Sequence, residues 1–223
     1  MIIFYRIASE SPNIRKISLM LEELGLPYAI KNIDSHNSVE WDPEFSRSSP
    51  TGTVPAIVDT DTGVCLFEST AILYYLAEKS GHLLPKMIEH RSKVIKWLSF
   101  EAANMCPAMI ELHHYIMNDD GDVPDIIFQR YKDKLVQYSS ILDQQLSDRD
   151  YLADEYSIAD IALFPWTAAL EDMAEISLSD YPNLERWATR INLRYNRQQT
   201  PASELAFSNW CYQDGNVAVC SAG

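Results

Sequence analysis

The chain has 223 residues, of which 18 are basic and 32 acidic, for a net charge of −14; 47% are hydrophobic and 22% charged. So acidic a surface argues against nucleic acid or an anionic membrane as the main partner. The start, MIIFYRIASESPN, has neither the basic region nor the apolar run of a secretory signal. Cys65, Cys106, Cys211 and Cys220 form no C-x-x-C and no metal spacing, which reads as a reducing, cytoplasmic setting without a metal.

In chain order, residues 2–7 (Ile-Ile-Phe-Tyr-Arg-Ile) are rich in β-formers and predict a strand. Ser11-Pro12 then opens a helix, with a hydroxyl at the N-cap and proline at the first helical position. Ile14, Ile17, Leu21 and Leu24 recur at helical spacing, and Gly25 closes the helix with Pro27 just beyond. Tyr28 to Ile33 predicts a second short strand. From Asp34 to Ser49 the chain is polar and reads as irregular, anchored by Trp41 and Phe45.

The stretch from Ser49 to Lys79 is the most informative. Pro50 and Gly52 make a turn, Pro55 precedes a short apolar run to Val58, Asp61-Thr62-Gly63 turns it back into Val64–Phe67, and Glu68-Ser69-Thr70 opens a helix. Pro55 cannot donate to a central ladder, so it belongs at a turn or a strand's first residue, and Val54-Pro55 is a candidate cis bond. A helix that begins with an acid, a hydroxyl and unbonded N–H groups can hold both the ammonium and the carboxylate of an amino acid.

Gly81-His82-Leu83-Leu84-Pro85 reads as a linker, after which strand signals stop. Residues 88–117, 124–146, 157–173 and 182–195 predict helices with apolar stripes. Ser157-Ile158-Ala159-Asp160 is a capping box, with Tyr156 placed to staple onto Ile161, and Pro165 should kink that helix. The apolar run Ile161–Leu170 is about half a membrane span. His113-His114 lacks partners at ligand spacing. The boundaries expected are 1–80 for an α/β domain, 81–87 for the linker, 88–205 for an all-α domain and 206–223 for a tail without periodicity.

The string V-P-A-I-V-D at 54–59 followed by F-E-S-T-A-I-L-Y-Y-L at 67–76 resembles the glutathione-binding half of the cytosolic glutathione transferases. The resemblance spans about residues 1–200 and implies a thioredoxin-like α/β domain followed by an all-α helical bundle. It implies glutathione as co-substrate, with Val54, ahead of a cis Pro55, pairing its backbone with the cysteinyl unit. Glu68 and Ser69 would take the γ-glutamyl end. Ser11-Pro12-Asn13-Ile14-Arg15-Lys16-Ile17 and Arg130-Tyr131 are most similar to the nu-class, disulfide-reductase-like members, so Arg130 is expected to reach glutathione from the helical domain. Where that class carries a glutamine near the glycine carboxylate, this chain has Glu40. Either Glu40 turns away or Lys16, Arg15 or Arg47 compensates its charge. The resemblance further implies a homodimer and a small electrophilic, peroxide or disulfide substrate.

Ser11–Ile14 lies where thioredoxins carry C-x-x-C, and it contains no cysteine, so the working thiol must be borrowed from glutathione. A free thiol titrates near ~8.5, and lowering that by two units requires ~2.7 kcal/mol of preference for the anion. Two hydrogen bonds to a charged acceptor, ~1.5–3 kcal/mol each, suffice. Ser11 and Asn13 are the expected donors. Tyr5 is the competing donor, because other transferase classes use a tyrosine near the end of the first strand. Three readings stay open: a glutathione transferase, a glutathione-dependent lyase, dehalogenase or isomerase on the same site, and a non-catalytic interaction module.

Overall fold

A computed structural model describes residues 1–8, 11–33, 43–118 and 124–198. Its described part divides into two compact units, residues 1–82 and 83–198. Among the described residues no helix is long and apolar enough to cross a membrane.

In the first unit, β1 (Ile2–Arg6), α1 (Pro12–Leu24) and β2 (Tyr28–Asn32) are followed by α2 (Pro43–Ser48), β3 (Ala56–Asp59), β4 (Val64–Phe67) and α3 (Ser69–Ser80). The sheet order is β2-β1-β3-β4, with β1 parallel to β2 and antiparallel to β3. Alternation along the strands sorts the core into two layers. Tyr5, Ala56 and Val58 pack with Phe45 of α2 on one face. Ile2, Phe4 and Ile57 point to the other, where α1 and α3 pack together through buried apolar residues such as Ile14, Ile17, Leu73 and Leu76.

α2 falls within the stretch read as irregular. Six residues are too few for an apolar period, and its signals are local: Pro43 opens it, Glu44 sits in its first turn and Arg47 in its last. Phe45 is its wholly buried anchor. Glu40, Trp41 and the tail at 206–223 lie outside the described residues.

The second unit is helical. The single helix expected over 88–117 is α4 (Ile88–Phe100), a π-helical segment (Glu101–Met105) and α5 (Cys106–Asn118). Pro107 has no N–H for the carbonyl four residues back, and the ladder widens just upstream of it. α6 (Asp125–Gln145) follows. The helix expected over 157–173 is divided into α7 (Ile158–Ala168) and α8 (Leu170–Ala174), the break falling one turn after Pro165. A short 3-10 turn (Leu178–Asp180) leads into α9 (Pro182–Gln198).

α7 is the core of this unit, with ten of its eleven residues buried, so its polar groups must be satisfied internally. The capping box forms: Ser157 N–H donates to Asp160 Oδ2 at 2.9 Å, and Ser157 Oγ accepts from Ala159 N–H at 3.3 Å. Asp160 Oδ1 also accepts from Leu152 N–H at 3.0 Å and Trp187 Nε1–H at 2.9 Å. Burial pushes the Asp160 carboxyl up to about 6, against the pull of these donors. Trp166 Nε1–H, from the same helix, donates to the buried Glu101 at 2.8 Å.

Candidate functional site

Ser11 caps α1. Its backbone is extended (φ −69°, ψ 157°), its Oγ accepts from Ile14 N–H at 3.3 Å, and Pro12 takes the first helical position. The cap uses a lone pair of the hydroxyl and leaves its proton to donate elsewhere. Asn13 is then the second helical residue, half-buried at the positive end of the helix.

The second element is the turn ahead of β3. Ser49 Oγ accepts from Thr53 N–H at 3.0 Å and donates to Thr53 carbonyl at 2.7 Å, while Gly52 N–H donates to Ser49 carbonyl at 3.0 Å. Gly52 adopts φ 71°, which glycine accepts without strain. This clasp delivers the chain to Val54-Pro55, whose peptide bond is cis. Val54 is half-buried, two residues ahead of β3.

The third element is the β4–α3 junction. Glu68 is exposed and holds φ 67°, ψ 111° at the N-cap of α3, with no hydrogen bond from its side chain to the helix. For a glutamate this conformation costs about 1–3 kcal/mol, and such strain gathers at ligand clamps. The cap leaves its carboxylate unused, at a helix start whose first-turn N–H groups have no intrahelical acceptor. Ser69 is the first helical residue and is buried.

One buried lysine joins these elements, and sequence reasoning gave it a different part. Lys16, one turn into α1, is fully buried. Its Nζ donates to Asn13 Oδ1 at 2.7 Å and to Ser69 Oγ at 3.3 Å, and Ser69 Oγ donates to Asn13 Oδ1 at 3.2 Å. An ammonium has only donors, so the amide oxygen of Asn13 must face it and the NH2 must face away. The expected thiol donor and the expected γ-glutamyl ligand are therefore in direct contact. The i, i+3 spacing of Asn13 and Lys16 was the available signal, since it places both on one helix face.

Tyr5 is occupied elsewhere. Its ring is fully buried and tilted on Phe45 at 5.4 Å between centroids. Its hydroxyl donates to Glu44 Oε2 at 2.8 Å and accepts from Lys31 Nζ at 3.4 Å. Arg15 is buried and Arg47 exposed. Arg130 belongs to the second unit, exposed on α6. On α5, burial and the neighbouring His114 push the His113 imidazole down, and no His, Cys, Asp and Glu cluster suited to a metal occurs among the described residues.

Residues 10–79 match the glutathione S-transferase N-terminal domain family, and residues 105–194 match the corresponding C-terminal domain family. The disulfide-bond oxidoreductase YfcG of Escherichia coli (strain K12) is 37% identical over 190 residues, covering 82% of this chain and 87% of that protein. Glutathione S-transferase F10 of Arabidopsis thaliana is 32% identical over 192 residues, covering 81% and 87%. Among solved structures, a Pseudomonas fluorescens family member with two glutathione bound has a TM-score of 0.79 at 32% identity, covering 88% of this chain and 91% of that one. A Pseudomonas putida glutathione transferase with one glutathione disulfide per subunit has a TM-score of 0.76 at 30% identity, covering 90% and 91%.

Proposed function

The chain belongs to the glutathione S-transferase family, and on that premise we propose that it is a glutathione-dependent disulfide reductase. The observation that carries this reading is the fixed Asn13 amide, whose NH2 is turned away from Lys16 and Ser69 at the start of α1. In this reading the glutathione ammonium meets Glu68, and its α-carboxylate meets Ser69 and the N-terminus of α3. The cysteinyl backbone pairs with Val54 ahead of Pro55. The sulfur then lies against the Ser11 hydroxyl and the Asn13 NH2, two donors that favour the thiolate over the thiol.

The reaction follows from that charge. The thiolate attacks one sulfur of a disulfide, forming a mixed disulfide as the second sulfur leaves as a thiolate. A second glutathione thiolate attacks the mixed disulfide at the glutathione sulfur, giving glutathione disulfide and the second reduced thiol. Two electrons pass from two glutathiones to one substrate disulfide. No cysteine lies in Ser11–Ile14, so in this reading the motif borrows its thiol and both electrons come from glutathione. The relatives named a disulfide-bond oxidoreductase and crystallised with glutathione disulfide favour this substrate class. The assembly we infer is a homodimer in a reducing, cytoplasmic compartment, which keeps the co-substrate reduced.

The test is a titration of the bound thiolate by its ultraviolet absorbance. Asn13→Ala should raise the titration midpoint by about one unit, or about 1.4 kcal/mol. Ser11→Ala should raise it similarly, with a thermal melt to separate the lost cap. Tyr5→Phe should leave it in place. A large shift from Tyr5→Phe with none from Asn13→Ala would move the chemistry to the tyrosine and end this assignment.

A further inference from the structure

Lys16 has no part in the reaction as written above, yet its side chain is removed from water altogether. A buried ammonium carries a desolvation cost of several kcal/mol unless its protons are accepted, so its contacts must account for its place. Two of them are the Asn13 amide oxygen at 2.7 Å and the Ser69 hydroxyl at 3.3 Å. The Ser69 proton goes to the same amide oxygen at 3.2 Å. Within this triangle the hydrogen bonds have one consistent direction: Lys16 donates twice, Ser69 accepts once and donates once, and Asn13 Oδ1 accepts twice. Turning the amide over would set its NH2 against an ammonium and a hydroxyl proton, with both hydrogen bonds to Oδ1 lost.

We propose that Lys16 is the positioning residue of the thiol site, holding the Asn13 amide so that its NH2 faces the glutathione sulfur and tying that amide to Ser69 in the γ-glutamyl pocket. The inference rests on the glutathione reading above. Occupancy of the γ-glutamyl pocket and the state of the sulfur are linked through one hydrogen-bonded triangle.

The test uses the full chain with glutathione as the probe, in wild type, Lys16→Met, Lys16→Gln, Asn13→Ala and the Lys16→Met/Asn13→Ala double variant. Calorimetry gives binding, absorbance gives the thiolate titration, and steady-state rates separate kcat from the KM for glutathione. Lys16→Met keeps an unbranched side chain one heavy atom shorter and removes every donor, and it should raise the titration midpoint by about one unit, a roughly tenfold loss of thiolate below it. Lys16→Gln restores one donor to Asn13 Oδ1 without the charge and should return the midpoint to within a few tenths of a unit. In the Asn13→Ala background Lys16→Met should add nothing. If wild type binds glutathione and Lys16→Met leaves the titration unmoved, or shifts it equally without Asn13, the positioning role is overturned while the glutathione reading stands. Wild type that binds no glutathione overturns both. Should Lys16→Met not fold, Lys16→Gln decides alone: a shift of a full unit would mean that charge, not orientation, is what Lys16 supplies, and would overturn the inference.

Discussion

Asp160 gives a pH dependence that can be isolated with one substitution. Its carboxyl is fully buried and held up at about 6, against an ordinary value of 3.8. Burial outweighs four donors: Leu152 N–H, Trp187 Nε1–H, Ser157 N–H and the Ser157 hydroxyl. Because the folded value lies above the unfolded one, the native state binds more protons between those two values, and stability falls as pH rises across them. The contribution is fully present below 3.8 and lost above about 6. The gap corresponds to about 3 kcal/mol. Asp160→Asn is the reference, since it has nearly the same shape and does not titrate. Its NH2 must face one of the buried donors, a cost of about 1–3 kcal/mol that is the same at every pH. Urea unfolding of both proteins from pH 4 to pH 7.5 should therefore show the wild type losing about 3 kcal/mol relative to Asp160→Asn, then running parallel to it. A difference that stays constant over that range, or grows in the wild type's favour, would refute the burial argument.

Asp59 should behave with the opposite sign. Burial raises it, but hydrogen bonds from Lys79, Tyr75 and Asp61 N–H prevail and hold it at about 2, so its roughly 2 kcal/mol is present above 3.8 and lost as pH falls toward 2; acid unfolding of Asp59→Asn should lack that loss. Glu68→Gly should relieve the strained backbone and raise stability by about 1 kcal/mol while weakening glutathione about 10–100-fold, read by thermal melting and calorimetry; unchanged affinity would remove the γ-glutamyl end from this corner. Light scattering at micromolar concentration should give a mass near twice 25.5 kDa, and a monomer would count against the dimer.

The features legible in the sequence are those whose cause is local. Ser11, Pro12 and Gly25 bound α1 because caps act within a turn, and Ser157 with Asp160 could be read as a box for the same reason. The cis bond at Val54-Pro55 and the corner at Glu68-Ser69 were legible as motifs on predicted elements. What escaped depends on contacts between distant residues. Lys16 reads as a candidate counter-charge to Glu40 until α3 brings Ser69 against it, 53 positions on. α2 is too short for a period, and its Glu44 becomes meaningful only when Tyr5, 39 positions away, donates to it. The π-helical turn ahead of Pro107 and the break after Pro165 show that a proline's effect on a buried helix appears a few residues from the proline itself.

The sheet of the first unit leaves β2 as an edge strand, and most of it is exposed, including Ile30. An exposed edge with an apolar side chain is a template on which another chain can add a strand, and a lysine along it is the usual deterrent. Here Lys31 fills that place while its ammonium is also bound to Glu44 and to the Tyr5 hydroxyl. One side chain thus serves the inside and the outside of the sheet at once. A neutral residue at position 31 would loosen the contact between α2 and the sheet and lower the barrier to edge-to-edge pairing in the same step, so the first symptom of its loss would be poor solubility in a chain that still folds.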